Sequence, residues 1–183
     1  MTEDRPMLPQ DLLIRPARDT DLPGILAIYN DVIASSTAVY SLEPSTLQER
    51  AAWLAARSER GFPVIVAEVE RQVAGFASFG EFRGVWPGYR HSVEHSVHVS
   101  SDWRGRGIGT RLTSALFPLA IAMGKHVMIG GIDADNEVSL RMHEHLGFER
   151  VAHLREVGRK FGRWLDLIFV QRYLDEPGAA RDD

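Results

Sequence analysis

The stretch VHVSSDWRGRGIGTRL, residues 97–112, decides how this chain folds. Its alternating apolar residues indicate a strand that ends at Val99. After a polar turn, Gly105, Gly107 and Gly109 open a helix with apolar periodicity. Because glycine has no Cβ, the backbone can turn sharply and approach a phosphate, and the first N–H groups of the helix have no intrahelical partner. The stretch therefore predicts an anion-binding loop between a strand and a helix.

The spacing of these glycines distinguishes the loop from two other phosphate-binding motifs. It lacks both the GxGxxG pattern of dinucleotide-binding folds and the Gly-Lys-Ser/Thr of P-loops. Arg104, Arg106 and Arg111 add positive charge, although side chains beside such a loop could simply be solvated. A glycine loop that only caps a helix is the alternative interpretation.

The composition is typical of one globular domain. The chain has 183 residues, 44% hydrophobic and 25% charged, with a net charge of −4. The lack of cysteine excludes disulfides, thiolate metal sites and a cysteine nucleophile, and the negative charge disfavours a general nucleic-acid binder. His91, His95 and His98 fit strand alternation without forming a convincing ligand set, so no metal is expected.

No stretch of the sequence predicts secretion or a membrane span. Residues 1–6 are polar and lack the apolar core of a secretory signal. The longest apolar run, 115–123, is interrupted by Pro118 and is too short to cross a bilayer. We therefore expect a cytoplasmic enzyme.

Periodicity and turn residues predict the order βααβββαβα, followed by two terminal strands. The first strand covers 12–15, Asp19 or Thr20 caps the first helix, and Ser45–Gln48 matches a capping box for the second. Strands in series followed by alternating strands and helices predict an α/β (α+β) fold with a mixed sheet flanked by helices.

One domain is expected to cover 12–175, with flexible tails at 1–11 and 176–183. Within it, the strand at 92–99 alternates in a way that separates two faces. One face carries Val93, His95, Val97 and Val99, and the other carries Ser92, Glu94, Ser96 and His98.

Glu94 is a candidate general base. A carboxylate partly buried in a sheet cleft has a raised pKa and can take a proton from an ammonium, directly or through a water. The alternative is the exposed face of an edge strand, where a glutamate has no catalytic role.

The glycine loop after a mid-chain strand resembles the acetyl-CoA pyrophosphate loop of the GCN5-related N-acetyltransferases (GNAT), and the element order over about Leu13–Leu174 is similar to the fold of that family. The resemblance implies acetyl-CoA as the acetyl donor. The cofactor-binding residues would be Val97, His98, Val99, Arg104, Gly105, Arg106, Gly107, Ile108, Gly109 and Thr110, many of them acting through the backbone.

Residues 136–148, NEVSLRMHEHLGF, resemble a second signature of that family, an asparagine that opens a helix ending in Gly-Phe. Many members have a tyrosine seven residues after the asparagine that protonates the CoA thiolate, and here that position is His143. The resemblance implies that Asn136 contacts the pantetheine arm and that His143 donates the proton. The alternatives are a helix N-cap for Asn136, which is compatible with cofactor contact, and surface packing for His143.

The motifs VEHSV at 93–97, LRMHE at 140–144 and GRKFGRWLD at 158–166 together resemble the phosphinothricin and methionine sulfone acetyltransferases. In that branch Glu94 and His143 fall on the catalytic residues. The resemblance implies N-acetylation of a small amino acid analogue such as phosphinothricin, methionine sulfone or methionine sulfoximine. It also implies herbicide resistance and a homodimer.

Residues that bind the acceptor are expected on the loop FRGVWPGYR, residues 82–90, whose aromatic side chains suggest a small closed pocket. Arg83 is favoured for the carboxylate or the sulfone or phosphinate oxygens, with Tyr40 and Arg90 as weaker candidates. Trp164, with Lys160, either closes the site of a neighbouring subunit or forms an ordinary hairpin tip. Another amine acceptor (a polyamine, an antibiotic or a protein N-terminus) and a CoA-binding sensor without turnover are the competing functions.

Overall fold

The computed structural model describes residues 7–84 and 86–175, and within these ranges the chain forms seven strands and four α-helices. The strands are β1 Leu13–Pro16, β2 Val64–Val69, β3 Gln72–Glu81, β4 Ser92–Val99, β5 Val127–Asp133, β6 Glu149–Lys160 and β7 Arg163–Tyr173. The helices are α1 Leu22–Ser35, α2 Leu47–Glu59, α3 Ile108–Ala122 and α4 Glu137–His145. The predicted mixed sheet and the predicted order of elements are confirmed.

The strands form one sheet in the order β1-β2-β3-β4-β5-β7-β6. β4 and β5 are parallel, whereas the other neighbouring strands are antiparallel. The parallel pair is short, because only Ser92–Glu94 pairs with Val127–Ile129. Beyond Glu94, β4 stays paired with β3 up to Val99, and β5 stays paired with β7 up to Asp133. The two strands therefore separate, and a cleft opens in the middle of the sheet.

Helices cover both faces of this sheet. On one face, Ile108, Leu112 and Leu116 of α3 belong to the main hydrophobic core. On the other, Ile25 and Ile28 of α1 pack with residues of β2 and β3 in a smaller core. The alternation predicted for β4 is confirmed: His95 contacts α4 on the first face, and His98 contacts α1 on the second.

The start of α2 differs from the prediction by one residue. The N-cap is Thr46, whose Oγ1 accepts the N–H of Glu49, and the Glu49 carboxylate accepts the N–H of Thr46 in return. The backbone N–H of Ser45 donates instead to the side chain of Asn30, so Ser45 links the helix to α1. The capping box predicted at Ser45–Gln48 is wrong because Glu49, not Gln48, closes it.

The predicted caps of α1 are also wrong. Asp19 and Thr20 lie in a separate 3-10 turn that ends at Asp21, the residue before the helix. The Asp21 carboxylate is used by Arg15, which donates to both of its oxygens at 2.7 and 2.8 Å. α1 therefore begins without a side-chain cap, with Pro23 in its first turn.

Part of the predicted N-terminal tail contacts the domain, since the Asp11 carboxylate accepts the N–H of Glu70 at 2.7 Å. The rest of that tail, 1–6, and the predicted C-terminal tail, 176–183, lie outside the described residues. None of the helices in the described ranges has the length and apolar character that a membrane span requires.

Candidate active site

Glu94 lies on β4 at the last residue pair before the two parallel strands separate. Its carboxylate points across the cleft towards β5, and a Cβ added to Gly131 would lie 3.6 Å from its Oε1 atom. Although the side chain remains exposed, surrounding protein atoms remove part of its hydration and raise the pKa of Glu94. The positive charge of Arg57 on α2 acts in the opposite direction. Glu94 is therefore an accessible carboxylate with an elevated pKa, which suits a general base.

A buried pair of imidazoles lies on the opposite face of β4. The Nε2 atoms of His95 and His143 are 2.9 Å apart, and both residues are buried. Phe148 stacks on His95 and packs edge-on against His143. Burial lowers the pKa of both histidines, that of His95 to about 4.

The hydrogen-bond partners of these two imidazoles show how many ring N–H protons their contacts require. Nδ1 of His95 lies 2.9 Å from the carbonyl oxygen of Ile129, and Nδ1 of His143 lies 2.7 Å from that of Ser139. A carbonyl only accepts, so both Nδ1 atoms donate, and the two Nε2 atoms need one further proton between them. A neutral pair has two protons for these three contacts. Uptake of one more proton would satisfy all three, but burial lowers the pKa of both histidines and so favours the neutral pair, which can take up a proton only transiently.

The glycine loop has the geometry expected of an anion-binding loop. Gly105 and Gly107 have φ of +76° and +77°, a region that favours glycine. A Cβ on Gly105 would meet no atom within 4 Å, so the loop is open at this point. Gly107 is the N-cap of α3, and the N–H groups of the first turn therefore point out of the helix end.

Gly109 has a different structural role. A Cβ at this position would lie 3.1 Å from Sδ of Met142 on α4 and 3.7 Å from the side chain of Val99. The missing side chain allows α3 to approach α4 closely. Ile108 is buried in the core, and Thr110 is partly buried in the first turn of α3.

Two arginine side chains of the loop, those of Arg104 and Arg106, contact other groups of the protein. Arg104 donates to the carbonyl of Val99 at 3.1 Å and pairs with Asp31 of α1 at 3.3 Å. The Arg106 guanidinium lies 4.7 Å from the centre of the Trp103 ring. The backbone is thus the better candidate for binding an anion here.

The cleft between β4 and β5 brings together groups from both strands and from α4. Asn136 is the N-cap of α4, because its Oδ1 accepts the N–H of Ser139 at 3.1 Å. The N-cap interpretation is therefore correct, and the same residue lines the cleft. Val97 and Val99 are partly buried against the core, while the edge of β4 that faces β5 has no strand partner beyond Glu94. The residues lining the cleft include Ser96, Val97, His98, Gly130, Gly131, Asn136, Ser139 and His143.

His98 lies on the face of the sheet that packs against α1. Its ring packs against Phe76 and Tyr29, with centroid distances of 5.1 and 5.7 Å. Burial, and then the charges of Arg50 and Arg104, lower the pKa of His98 to about 4. A contribution to cofactor binding would come from its main chain.

The lowered pKa of His98 predicts that the stability of the protein depends on pH. The folded protein keeps His98 neutral down to about pH 4, whereas the unfolded chain takes up a proton near its ordinary pKa of 6.5. The free energy of unfolding therefore contains a contribution from neutral His98 that is complete above pH 6.5. This contribution is lost as the pH falls towards 4, at up to about 1.4 kcal/mol per pH unit. His98→Phe should flatten the dependence of the unfolding free energy on pH over this range, measured by urea denaturation. If the unfolding free energies of the wild type and the variant changed with pH in the same way, His98 would not be the source of this dependence.

Tyr40 and Lys160 hold the loop between α1 and α2. The Tyr40 hydroxyl donates to the carbonyl of Asp166 at 3.1 Å, and burial together with Asp133 raises the pKa of Tyr40 to about 12. Lys160 is 3% exposed, and its ammonium donates to the carbonyls of Ser36 and Val39 at 2.8 and 2.7 Å. Both polar groups are thus used within this chain.

The other residues predicted to bind the acceptor lie away from the cleft lining. Arg83 and Arg90 are on the exposed loop between β3 and β4, where Arg83 has φ of +51° and stacks over Tyr89. Trp164 is an exposed residue near the turn between β6 and β7, with Arg159 over its ring. Four of the predicted residues line the cleft, namely Val97, His98, Asn136 and His143, and Glu94 lies next to Gly131 of the lining. Arg83, Arg90 and Trp164 do not line it.

Two residues near the candidate site have roles that the sequence patterns did not indicate. His95 was interpreted only as a member of an alternating strand, and its contact with His143 joins residues that are 48 positions apart. Arg57, on α2, acts on Glu94 through its charge, without a hydrogen bond between them. Within the described ranges, no group of three or more histidine, aspartate and glutamate side chains could hold a metal ion.

Comparison with known proteins relates this geometry to one family. The sequence model of the acetyltransferase (GNAT) family matches residues 25–148. The chain is 46% identical over 168 residues to an L-methionine sulfoximine/L-methionine sulfone acetyltransferase of Pseudomonas paraeruginosa, a match covering 91% of this chain and 97% of the relative. It is 35% identical over 167 residues to a phosphinothricin N-acetyltransferase of Streptomyces coelicolor, covering 90% of this chain and 97% of the relative.

A solved structure extends this similarity to the fold. The GNAT superfamily phosphinothricin acetyltransferase of Sinorhizobium meliloti, in complex with AcCoA, superposes with a TM-score of 0.90 at 35% sequence identity. The match covers 94% of this chain and 93% of that chain. The fold of this chain thus has a counterpart in a protein crystallised with AcCoA.

Proposed function

Because this chain belongs to the GNAT acetyltransferase family, we propose that it transfers the acetyl group of acetyl-CoA to the α-amine of a small amino acid analogue. The observation that carries the proposal is the position of Glu94, an accessible carboxylate with a raised pKa where β4 and β5 separate. The names of the relatives supply the acceptor class: methionine sulfone, methionine sulfoximine and phosphinothricin.

The residues around the cleft fit acetyl-CoA. Backbone N–H groups at 105–110 suit the pyrophosphate, since φ of +76° and +77° at Gly105 and Gly107 turns the chain sharply and a Cβ on Gly105 would meet no atom within 4 Å. The unpaired edge of β4 at Val97 suits the pantetheine amides, which can hydrogen-bond to it like an added strand. Asn136, at the start of α4, adds an amide beside this edge. Acetyl-CoA supplies the activated thioester.

Glu94 is the general base of this proposal. An α-amine is largely protonated at neutral pH and must lose a proton before its nitrogen can attack a carbonyl. The raised pKa of Glu94 brings its basicity closer to that of the amine, and its exposure lets a substrate or a bridging water reach it. Glu94 thus takes the proton on the acceptor side of the sheet.

His143 is the acid of this proposal, working with His95. As the new N–C bond forms, the C–S bond breaks and a thiolate leaves, which a proton neutralises. The imidazole pair lies beside the cleft on the other face of β4; burial lowers the pKa of both histidines, so the pair is neutral at rest and passes to the thiolate a proton that it takes up from solvent during the reaction. Base and acid therefore act on opposite faces, and the separation of the strands gives the ligands access to both.

A panel of acceptors tests the proposed function. Release of free CoA thiol is followed with L-methionine sulfone, phosphinothricin, spermidine and an N-terminal peptide at equal concentrations. We expect rapid turnover with the first two only. Turnover only with spermidine or the peptide would overturn the acceptor class, and acetyl-CoA binding without turnover would favour a CoA sensor.

We also propose that two copies of this chain form a homodimer in the cytoplasm. The support for a dimer is the outer strand β6, which exposes Val151, Leu154 and Val157, close to the exposed Phe161 and Trp164 of the adjoining turn. Apolar side chains along an outer strand favour association with another surface. Sedimentation equilibrium tests this, and Val157→Lys should shift a dimer towards monomer. A monomeric wild-type protein at micromolar concentration would refute it.

A further inference from the structure

The side chain of Arg57 lies flat against β3 at a position where only a glycine leaves room for it. A Cβ added to Gly80 would be 1.3 Å from the Arg57 Nη1 atom. Gly80 is directly opposite Glu94 in the β3–β4 register, so the two residues are on the same face of the sheet. The missing side chain of Gly80 therefore places a guanidinium next to the candidate base.

Arg57 and Glu94 influence each other without forming a pair. The guanidinium donates to the carbonyl of Phe79 at 3.1 Å, and its effect on Glu94 is that of a charge at a distance, with no hydrogen bond between them. The acidic Glu81 nearby is paired with Arg60. Arg57 is half-buried, so its charge is only partly hydrated, and a guanidinium has five N–H donors. Its capacity to bind an anion is thus largely unused.

A carboxylate and a guanidinium that are close together but unpaired match the charges of an α-amino acid. In such a molecule the ammonium and the carboxylate are attached to the same carbon, so an amine held at Glu94 brings its carboxylate to within a few ångströms of the base. We propose that Arg57 binds the α-carboxylate of the acceptor while Glu94 receives the proton of its amine. This inference rests on the proposed function and specifies how the acceptor is recognised.

The assignment changes the role expected of Arg83. That side chain is exposed on the loop after β3 and stacks over Tyr89, 5.5 Å from the ring centre. Arg57 is instead fixed against the sheet beside the base, where the position of an α-carboxylate is set by the amine. Arg83 remains available for the distal sulfone or phosphinate oxygens, which vary in distance from the amine.

The test is a double-mutant cycle between Arg57 and the substrate carboxylate. Two acceptors are compared, L-methionine sulfone and 3-(methylsulfonyl)propylamine, which keeps the amine and the sulfone but lacks the carboxylate. For Arg57→Gln we expect kcat/KM to fall about 10–100-fold with the amino acid, the range for losing a hydrogen-bonded ion pair, and less than about threefold with the amine. The control Arg150→Gln should change neither value, since Arg150 pairs with Glu144 and is not among the residues lining the cleft.

Gly80→Ala provides a second variant that keeps the arginine. The added methyl group displaces only the end of a flexible side chain, so the fold should be retained while the guanidinium leaves its position. We expect the same selective loss with L-methionine sulfone. Thermal unfolding of each variant confirms that the comparison concerns folded protein.

Three results would overturn the inference. Equal losses with both acceptors in Arg57→Gln, accompanied by a shifted pH profile, would mean that Arg57 acts only by tuning Glu94. A wild-type protein that uses both acceptors equally well would refute the carboxylate site while leaving acetyl transfer intact. A wild-type protein that acetylates neither would refute the proposed function, and this site with it.

Discussion

Glu94→Gln is expected to lower kcat/KM for acetyl transfer by about 10²–10⁴-fold, the usual contribution of a general base. Glutamine has nearly the same shape as glutamate, so the packing at the separation of β4 and β5 should be preserved. It cannot take a proton, and the amine would remain largely protonated at neutral pH. Steady-state release of CoA thiol with L-methionine sulfone measures the effect, and calorimetric titration should show that acetyl-CoA still binds.

The pH profile distinguishes loss of the base from a general disturbance. Activity requires ionised Glu94, so wild-type kcat/KM should rise as the pH increases through the pKa of Glu94, which burial raises and Arg57 opposes. In the Glu94→Gln variant, kcat/KM should no longer rise through this pKa. Part of the activity should return at alkaline pH, where the free amine is abundant. Glu81→Gln, in a carboxylate paired with Arg60, is the matched control and should retain wild-type activity. A Glu94→Gln enzyme with full turnover at all pH values would show that Glu94 is not the base.

Gly105→Val is expected to weaken acetyl-CoA binding by about 10²-fold. Gly105 has φ of +76°, where a β-branched residue is strained by about 1–3 kcal/mol. The loop would relax to another conformation and its N–H groups would no longer converge on the pyrophosphate. A dissociation constant for acetyl-CoA, measured by calorimetry, gives the effect directly.

Gly61→Val is the matched control for this prediction. Gly61 has φ of +73° and, like Gly105, no atom within 4 Å of an added Cβ. It follows α2 and is not among the residues lining the cleft. Both variants should lose similar stability, but only Gly105→Val should lose affinity. Equal affinity for acetyl-CoA in the two variants would contradict an anion-binding role for the loop.

The sequence predicts this fold well where local patterns are strong. The alternation of residues 92–99 assigns Glu94 and His95 to opposite faces, and the structure confirms both assignments. The glycines of the loop predict a sharp turn, and Gly105 and Gly107 adopt left-handed conformations there. Gly109 is different: its spacing is part of the motif, but its contact with Met142 depends on how two helices pack.

Interactions between distant elements were not predictable in the same way. The position of Arg57 depends on the register of β3 with β4 and on a glycine opposite Glu94, and neither can be derived from the sequence around Arg57. The His95–His143 contact likewise requires the separation of two strands and the packing of α4. Tyr40 was predicted to bind the acceptor, which stays a prediction; its hydroxyl donates to the carbonyl of Asp166, 126 residues away, and lies 3.3 Å from Asp133, which lines the cleft.

The division of β4 into two chemically different faces explains why the separation of the strands matters. In a fully paired sheet, Glu94 on one face and the histidine pair on the other could not act on one reaction centre. Because pairing between β4 and β5 ends at Glu94, a ligand can enter between the strands and contact both faces. The same separation leaves the edge of β4 available for hydrogen bonds to the cofactor.

The most direct test of the central claim is the identity of the product. The purified protein is incubated with acetyl-CoA and L-methionine sulfone, and the product is characterised by mass spectrometry and NMR while free CoA is quantified. We predict one acetyl group on the α-nitrogen, formed in a 1:1 ratio with CoA, and formed about 10²–10⁴-fold more slowly with Glu94→Gln at neutral pH. CoA release without an acetylated amino acid, or acetylation at another atom, would contradict the proposed reaction.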